Sequence, residues 1–129
     1  NISFEINMDE QCLFYSDKQS YTTIIENLIS NAIKFQDTTK RKQYIKINAS
    51  SEEDYLELTI TDNGIGIAPE HYSKIFEMFI RISGEVAGSG IGLYIVKEII
   101  TKIEGTIEVQ SLVGKQTIFT IHLKNLKPC

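Results

Sequence analysis

The chain has 129 residues, 42% apolar and 23% charged, a range in which one domain buries a single core, so residues 1–129 are expected to fold as one unit. Its formal net charge of −4 gives no broad basic surface and disfavours nucleic acid or an anionic membrane as a main partner. No apolar run approaches a membrane span, and the opening NISFEINMDE lacks the basic-then-apolar order of a signal peptide, so a soluble segment is expected.

In chain order, Ile2, Phe4, Ile6 and Met8 alternate with polar neighbours, the period-two pattern of a half-buried strand, and a second short strand is expected over 12–16. Over 18–36 the pattern turns helical: Ile24, Ile25, Leu28, Ile29, Ala32, Ile33 and Phe35 share one half of the wheel. The polar loop 37–43 contains Lys40, Arg41 and Lys42, read as a solvated basic loop. Strands at 44–51 and 55–62, joined by SEED, predict an antiparallel hairpin. Residues 63–92 carry most of the glycine and one short helix near 70–77 behind Pro69. Leu93, Ile95, Val96, Ile99, Ile100 and Ile103 recover a helical face over 92–103, with Gly105 placed to end it. Strands at 106–111 and 116–123 follow. This order, without regular βαβ alternation, predicts an α+β fold: a two-layer α/β sandwich whose mixed, mostly antiparallel sheet carries helices on one face.

Cys12 and Cys129 have no metal-ligand spacing and are read as free thiols of a reducing compartment. His71 and His122 are far apart with no cysteine near them, so no zinc-type site is expected.

Three groups carry chemistry. Asn27, Asn31 and Lys34 fall within about 60° of one another on the first long helix, beside its apolar half. Asparagines one turn apart offer oxygen to a magnesium ion and amide donors to phosphate, and Lys34 adds a point charge. The plainer alternative is a polar helix flank without a ligand. Asp62 ends a strand in which Leu56, Leu58 and Ile60 share its parity, so its side chain emerges on the apolar face, where an acid is costly unless hydrogen-bonded. Gly64 and Gly66 remove bulk beside it, which suits a flat base whose exocyclic amine, such as that of adenine, pairs with a carboxylate. A common Asp-Asn-Gly turn is the alternative. The run GSGIGL leads into the second long helix and offers unpaired N–H groups and the positive end of the helix dipole to phosphate. It is not a P-loop, since no GK[ST] follows, nor a dinucleotide fingerprint, since no βαβ unit surrounds it. Glycine there otherwise serves only a tight helix entry.

In order and spacing, ENLISNAIKF, DNGIGIAPEHYSKIFEMF and GSGIGLYIVKEII resemble the N box, first glycine box, F box and second glycine box of histidine kinases. The resemblance places the chain in the wider GHKL group of gyrase, Hsp90, MutL and histidine kinase ATPases and implies a Bergerat-type ATP-binding fold. It implies Asn31 as the magnesium ligand, with Asn27 and Lys34 near the phosphates as the rest of the catalytic set, and Phe35 as an aromatic beside the nucleotide. Asp62 matches the acid that binds the adenine amine, Gly64 and Gly66 shape that wall, and Ile67 joins the cofactor-binding set. Phe76 and Phe79 match the F box, which flanks a mobile lid, here the short IRISGEVA; two core aromatics are the alternative reading of that pair. Gly88, Gly90 and Gly92 match the lid hinge and phosphate turn, with Ser89, Ile91 and Leu93 alongside. Thr117, in GKQTIF, resembles the threonine of a motif usually written GxGTxF, with Gln116 in place of the second glycine.

The resemblance further implies that the chain binds Mg-ATP and transfers the γ-phosphoryl group to a histidine on a separate dimerisation domain in two-component signalling. ATP and Mg2+ are then the cofactors, and the partners are the kinase's own histidine-bearing domain and a downstream response regulator, with no nucleic acid. The chain is expected to be a monomeric fragment of a homodimeric kinase, cytoplasmic or the cytoplasmic part of a membrane-bound sensor. Two alternatives stand: an ATP-hydrolysing relative, and a nucleotide-binding module without phosphotransfer. In the gyrase and Hsp90 branch the resemblance predicts a glutamate base one turn before the magnesium-binding asparagine. This chain has Asn27 there, and Glu26 is rotated about 100° away, which disfavours hydrolysis. His71 and His122 are expected on the surface and are poor phosphoacceptors, so the chain is not expected to label itself.

Overall fold

The computed structural model describes residues 2–10, 16–52, 54–77 and 92–126. After β1 (Ile2–Glu10), α1 (Lys18–Lys34) starts on Asp17, whose carboxylate accepts from the Ser20 N–H at 3.0 Å and so satisfies a donor the first turn leaves unpaired. Hydrogen bonds from Ser20 hold that carboxyl below its ordinary range. The helix buries Ile24, Leu28 and Ala32, four residues apart, and closes where the Phe35 N–H donates to the Asn31 carbonyl at 3.1 Å. β2 (Gln43–Ser51), β3 (Tyr55–Asp62), α2 (Gly92–Lys102), β4 (Thr106–Leu112) and β5 (Gln116–Lys124) complete the order.

The five strands form one sheet in the order β1-β2-β3-β5-β4, with β1 parallel to β2 and the other pairs antiparallel. Strand alternation puts Ile45, Ile47 and Ala49, Leu56, Leu58 and Ile60, and Phe119, Ile121 and Leu123 on one buried face. Register aligns them in rows, as in Ile47, Ile60 and Phe119. α1 and α2 pack together over this face, and Val96 and Ile100 of α2 are fully buried there with Ile24 of α1. The α+β sandwich read from the sequence is the one observed.

Three expectations are refined. Phe4, Ile6 and Met8 lie opposite Ile45, Ile47 and Ala49 and share their face, yet they are 51%, 65% and 61% exposed. The helices contact β3 and β4, so this edge of the sheet is left uncovered among the described residues. The short helix near 70–77 is a 3-10 turn, Pro69–His71, followed by further turns. α2 ends with a left-handed residue at Glu104 (φ 61) rather than at Gly105. Glycine is needed at 105 because a Cβ there would lie 2.6 Å from the His122 carbonyl oxygen. The strand expected over 12–16 and both cysteines, Cys12 and Cys129, lie outside the described residues.

Candidate functional site

Asp62 is the last residue of β3, flanked in register by Ile45 on β2 and Thr117 on β5, and is only 6% exposed. Burial pushes its carboxyl up to about 6, opposed by the Gly64 N–H, which donates to Oδ1 at 2.9 Å, and by the charge of Lys40. Behind it the chain turns against the end of α1. The Ile65 N–H donates to the Phe35 carbonyl at 3.0 Å, and a Cβ at Gly64 would collide with that same oxygen. At Gly66 the backbone is left-handed (φ 80), and a Cβ would stand 2.6 Å from the Leu112 carbonyl oxygen. Both glycines therefore let backbone approach backbone near the buried acid, whereas the sequence reading has them clear space for a flat ligand.

A hydroxyl network reaches Thr117, the strand neighbour of Asp62. The Ile67 N–H donates to Ser111 Oγ at 2.8 Å, and Ser111 Oγ donates to the Gln116 carbonyl at 2.7 Å. With its one proton so placed, Ser111 Oγ accepts from Thr117 Oγ1 at 2.9 Å. Tyr72 closes the network, its hydroxyl donating to the Ser111 carbonyl at 2.8 Å and accepting from the Ser111 N–H at 2.7 Å. Gln116 sits in β5 opposite Leu112 with no left-handed backbone, so its backbone conformation does not require glycine. Ser111 and Tyr72 escaped the sequence reading, since only the tertiary fold brings them to Ile67 and Thr117.

On α1, Asn27 is half-buried and its Nδ2 donates to the Thr23 carbonyl at 2.8 Å, while Oδ1 lies 3.2 Å from where a Cβ at Gly92 would stand. The N box thus abuts the first residue of α2. Asn31 is half-buried one turn on, and Lys34 and Glu26 are exposed. Leu93 and Ile67 pack against the core. Phe76 does so too, edge-on to Phe119 at 6.3 Å, the core role left open for it. Phe79, Gly88, Ser89, Gly90 and Ile91, with the lid segment, lie outside the described residues.

The basic loop is not uniformly solvated. Arg41 and Lys42 are exposed, but Lys40 turns inward, its Nζ donating to the carbonyls of Asn63 at 2.6 Å, Lys115 at 3.0 Å and Gly64 at 3.4 Å. His122 lies on the outer face of the sheet, bonded through Nε2 to Glu57 at 2.9 Å and edge-on to Tyr55. His71 closes the 3-10 turn. Among the described residues no group of three or more His, Cys, Asp and Glu could hold a metal ion.

Residues 16–127 match the family model described as histidine kinase-, DNA gyrase B-, and HSP90-like ATPase. The chain is 37% identical over 118 residues to histidine protein kinase SaeS of Staphylococcus epidermidis, covering 88% of this chain and 33% of that protein. It is 35% identical over 127 residues to sensor histidine kinase RppB of Synechocystis sp., covering 95% and 27%. It therefore spans a third or less of the length of these curated relatives. Among solved structures, the mycobacterial sensor histidine kinase MprB superposes with a TM-score of 0.82 at 27% identity, over 99% of this chain and 84% of that one. The sheet order, the buried acid at its glycine turn and these matches together make the chain a member of the histidine kinase-, DNA gyrase B- and HSP90-like ATPases, homologous to the catalytic, ATP-binding domains of sensor histidine kinases.

Proposed function

We propose that this domain binds Mg-ATP and presents the γ-phosphoryl group to a histidine carried by a separate dimerisation domain, the first transfer in two-component signalling. The observation that carries the reading is Asp62, an acid buried at a strand end with one oxygen satisfied by Gly64 and a glycine turn held against α1 beside it. A carboxylate in that setting accepts from the exocyclic amine of adenine. Guanine offers a carbonyl at the corresponding position and would repel it.

The residues also fit the cation. Asn31 and Asn27 supply neutral amide oxygens on one flank, suited to an ion that takes few protein ligands and completes its shell with water and phosphate. Asn31 would hold magnesium, which when bound offsets charge on the transferring phosphoryl group. Lys34 draws in phosphate, and the start of α2 offers backbone N–H groups to it. Glu26 is exposed on α1 and Asn27 occupies the place of a general base, which favours transfer to an imidazole nitrogen over transfer to water. On this reading the full kinase is a cytoplasmic-facing homodimer that hands its phosphoryl group to a response regulator. Among the described residues no helix is long and apolar enough to cross a membrane.

Calorimetric titration of the domain with ATP and with GTP tests the reading. ATP should bind at least roughly tenfold more tightly, the equivalent of about one charged hydrogen bond. Equal affinities for the two nucleotides contradict it.

A further inference from the structure

The two peptide planes that flank Gly64 are each gripped at both ends. The Asn63–Gly64 peptide accepts from Lys40 Nζ at its oxygen (2.6 Å) and donates from its nitrogen to Asp62 Oδ1 (2.9 Å). The Gly64–Ile65 peptide accepts from the same Nζ (3.4 Å) and donates to the Phe35 carbonyl (3.0 Å). A third bond, to the Lys115 carbonyl at 3.0 Å, anchors the ammonium to the β4–β5 turn. Lys40 is itself braced: Gln43 Nε2 donates to the carbonyls of Lys40 at 3.0 Å and Asp37 at 2.9 Å. From the other side Asn63 donates to the Lys42 carbonyl at 2.7 Å and accepts from the Tyr44 N–H at 2.8 Å.

We propose that Lys40 is a positioning residue for the base site, fixing the peptides around Gly64 so that Asp62 keeps its carboxylate aimed at the amine of the base. The proposal rests on the adenine reading given above. A cation at the oxygen of a peptide polarises it and strengthens the bond its N–H makes, so the charge of Lys40 reaches Asp62 through the Asn63–Gly64 peptide as well as through space. Both routes favour the ionised carboxyl, the form that accepts from an amine. The strand neighbours of Asp62, Ile45 and Thr117, are uncharged, and Lys40 is the charged group acting on it among the described residues.

The test uses Lys40→Met, Lys40→Arg and Asp62→Asn in the whole domain. Carbon NMR titration of the Asp62 carboxyl without nucleotide should show a midpoint near 6 in the parent, higher by about one pH unit in Lys40→Met and close to the parent in Lys40→Arg. ATP affinity near neutral pH should fall about tenfold in Lys40→Met, and should fall by little when the same change is made in the Asp62→Asn background. An unchanged midpoint in Lys40→Met, or an equal loss of affinity with and without the Asp62 carboxylate, overturns the proposal and reduces Lys40 to a structural brace. Equal binding of ATP and GTP by the parent instead removes the adenine reading, whatever the titration shows. If Lys40→Met does not fold, Lys40→Gln is titrated in its place and judged by the same two outcomes.

Discussion

On the proposed reading, the buried Asp62 carboxyl serves base binding at an expense in stability that depends on pH. Its folded value of about 6 lies above the ordinary 3.8, so the folded state holds the proton more tightly than the unfolded chain. Stability is therefore fully present below about 4 and is lost as pH rises through about 6, at a cost of roughly 3 kcal/mol by neutral pH. Asp62→Asn keeps an oxygen for the Gly64 N–H and discards the buried charge. The variant should melt at a higher temperature than the parent at pH 7.5, with the gap closing near pH 4, and should lose roughly ten- to a hundredfold in ATP affinity. Melting curves across pH and calorimetry check both halves; a variant with parental affinity would exonerate the carboxylate. Asn31, half-buried on the flank of α1, carries a separate prediction. Chelating magnesium should weaken ATP binding in the parent and leave Asn31→Ala unchanged, whereas an equal drop in both places the ion elsewhere.

At the scale of elements, α2 ends in a Schellman motif built on the wrong residue. The Gly105 N–H donates to the Ile100 carbonyl at 2.8 Å and the Glu104 N–H to the Thr101 carbonyl at 3.1 Å, which forces Glu104 into the left-handed region. Its exposed pairing with Lys124 at 4.0 Å offsets little of that strain. Glu104→Gly should stabilise the domain by about 1 kcal/mol, read as a higher denaturant midpoint at unchanged slope; a lower midpoint would show that the ion pair matters more. The same helix shows what sequence conveys. Its apolar face, that of α1 and the inward parity of Asp62 are local periodicities and were legible. Its cap was not, because a glycine beside the end looks like the cap until the approach of the His122 carbonyl is known. Lys40, Ser111 and Tyr72 act across 23 to 75 positions of the chain and leave no local pattern. The short helix misled for a related reason. Pro69 suits a helix start, but the Tyr72 hydroxyl is tied to β4, and the segment continues as turns. The uncovered side of β1 has the same origin, since alternation marks an apolar face without saying whether a helix reaches it.

At the scale of the whole molecule, the proposed reading assigns the phosphoryl acceptor to a histidine other than His71 and His122. His122 is on the outer face of the sheet, bonded to Glu57, five residues along β5 from Thr117, and His71, half-buried, closes a 3-10 turn. Phosphoryl transfer needs its nucleophile in line, and the effective concentration that a tethered domain supplies is lost when that domain is absent. The domain alone should bind ATP without labelling itself. The most direct measurement is incubation with γ-labelled ATP, alone and with the dimeric histidine-bearing domain of the same kinase. Acid-labile label should accumulate on the partner's histidine, in proportion to partner concentration, and none on this chain. Stoichiometric phosphohistidine at His71 or His122 of the isolated domain, or an unlabelled partner while ATP is bound, would contradict the assignment of this domain to an external histidine.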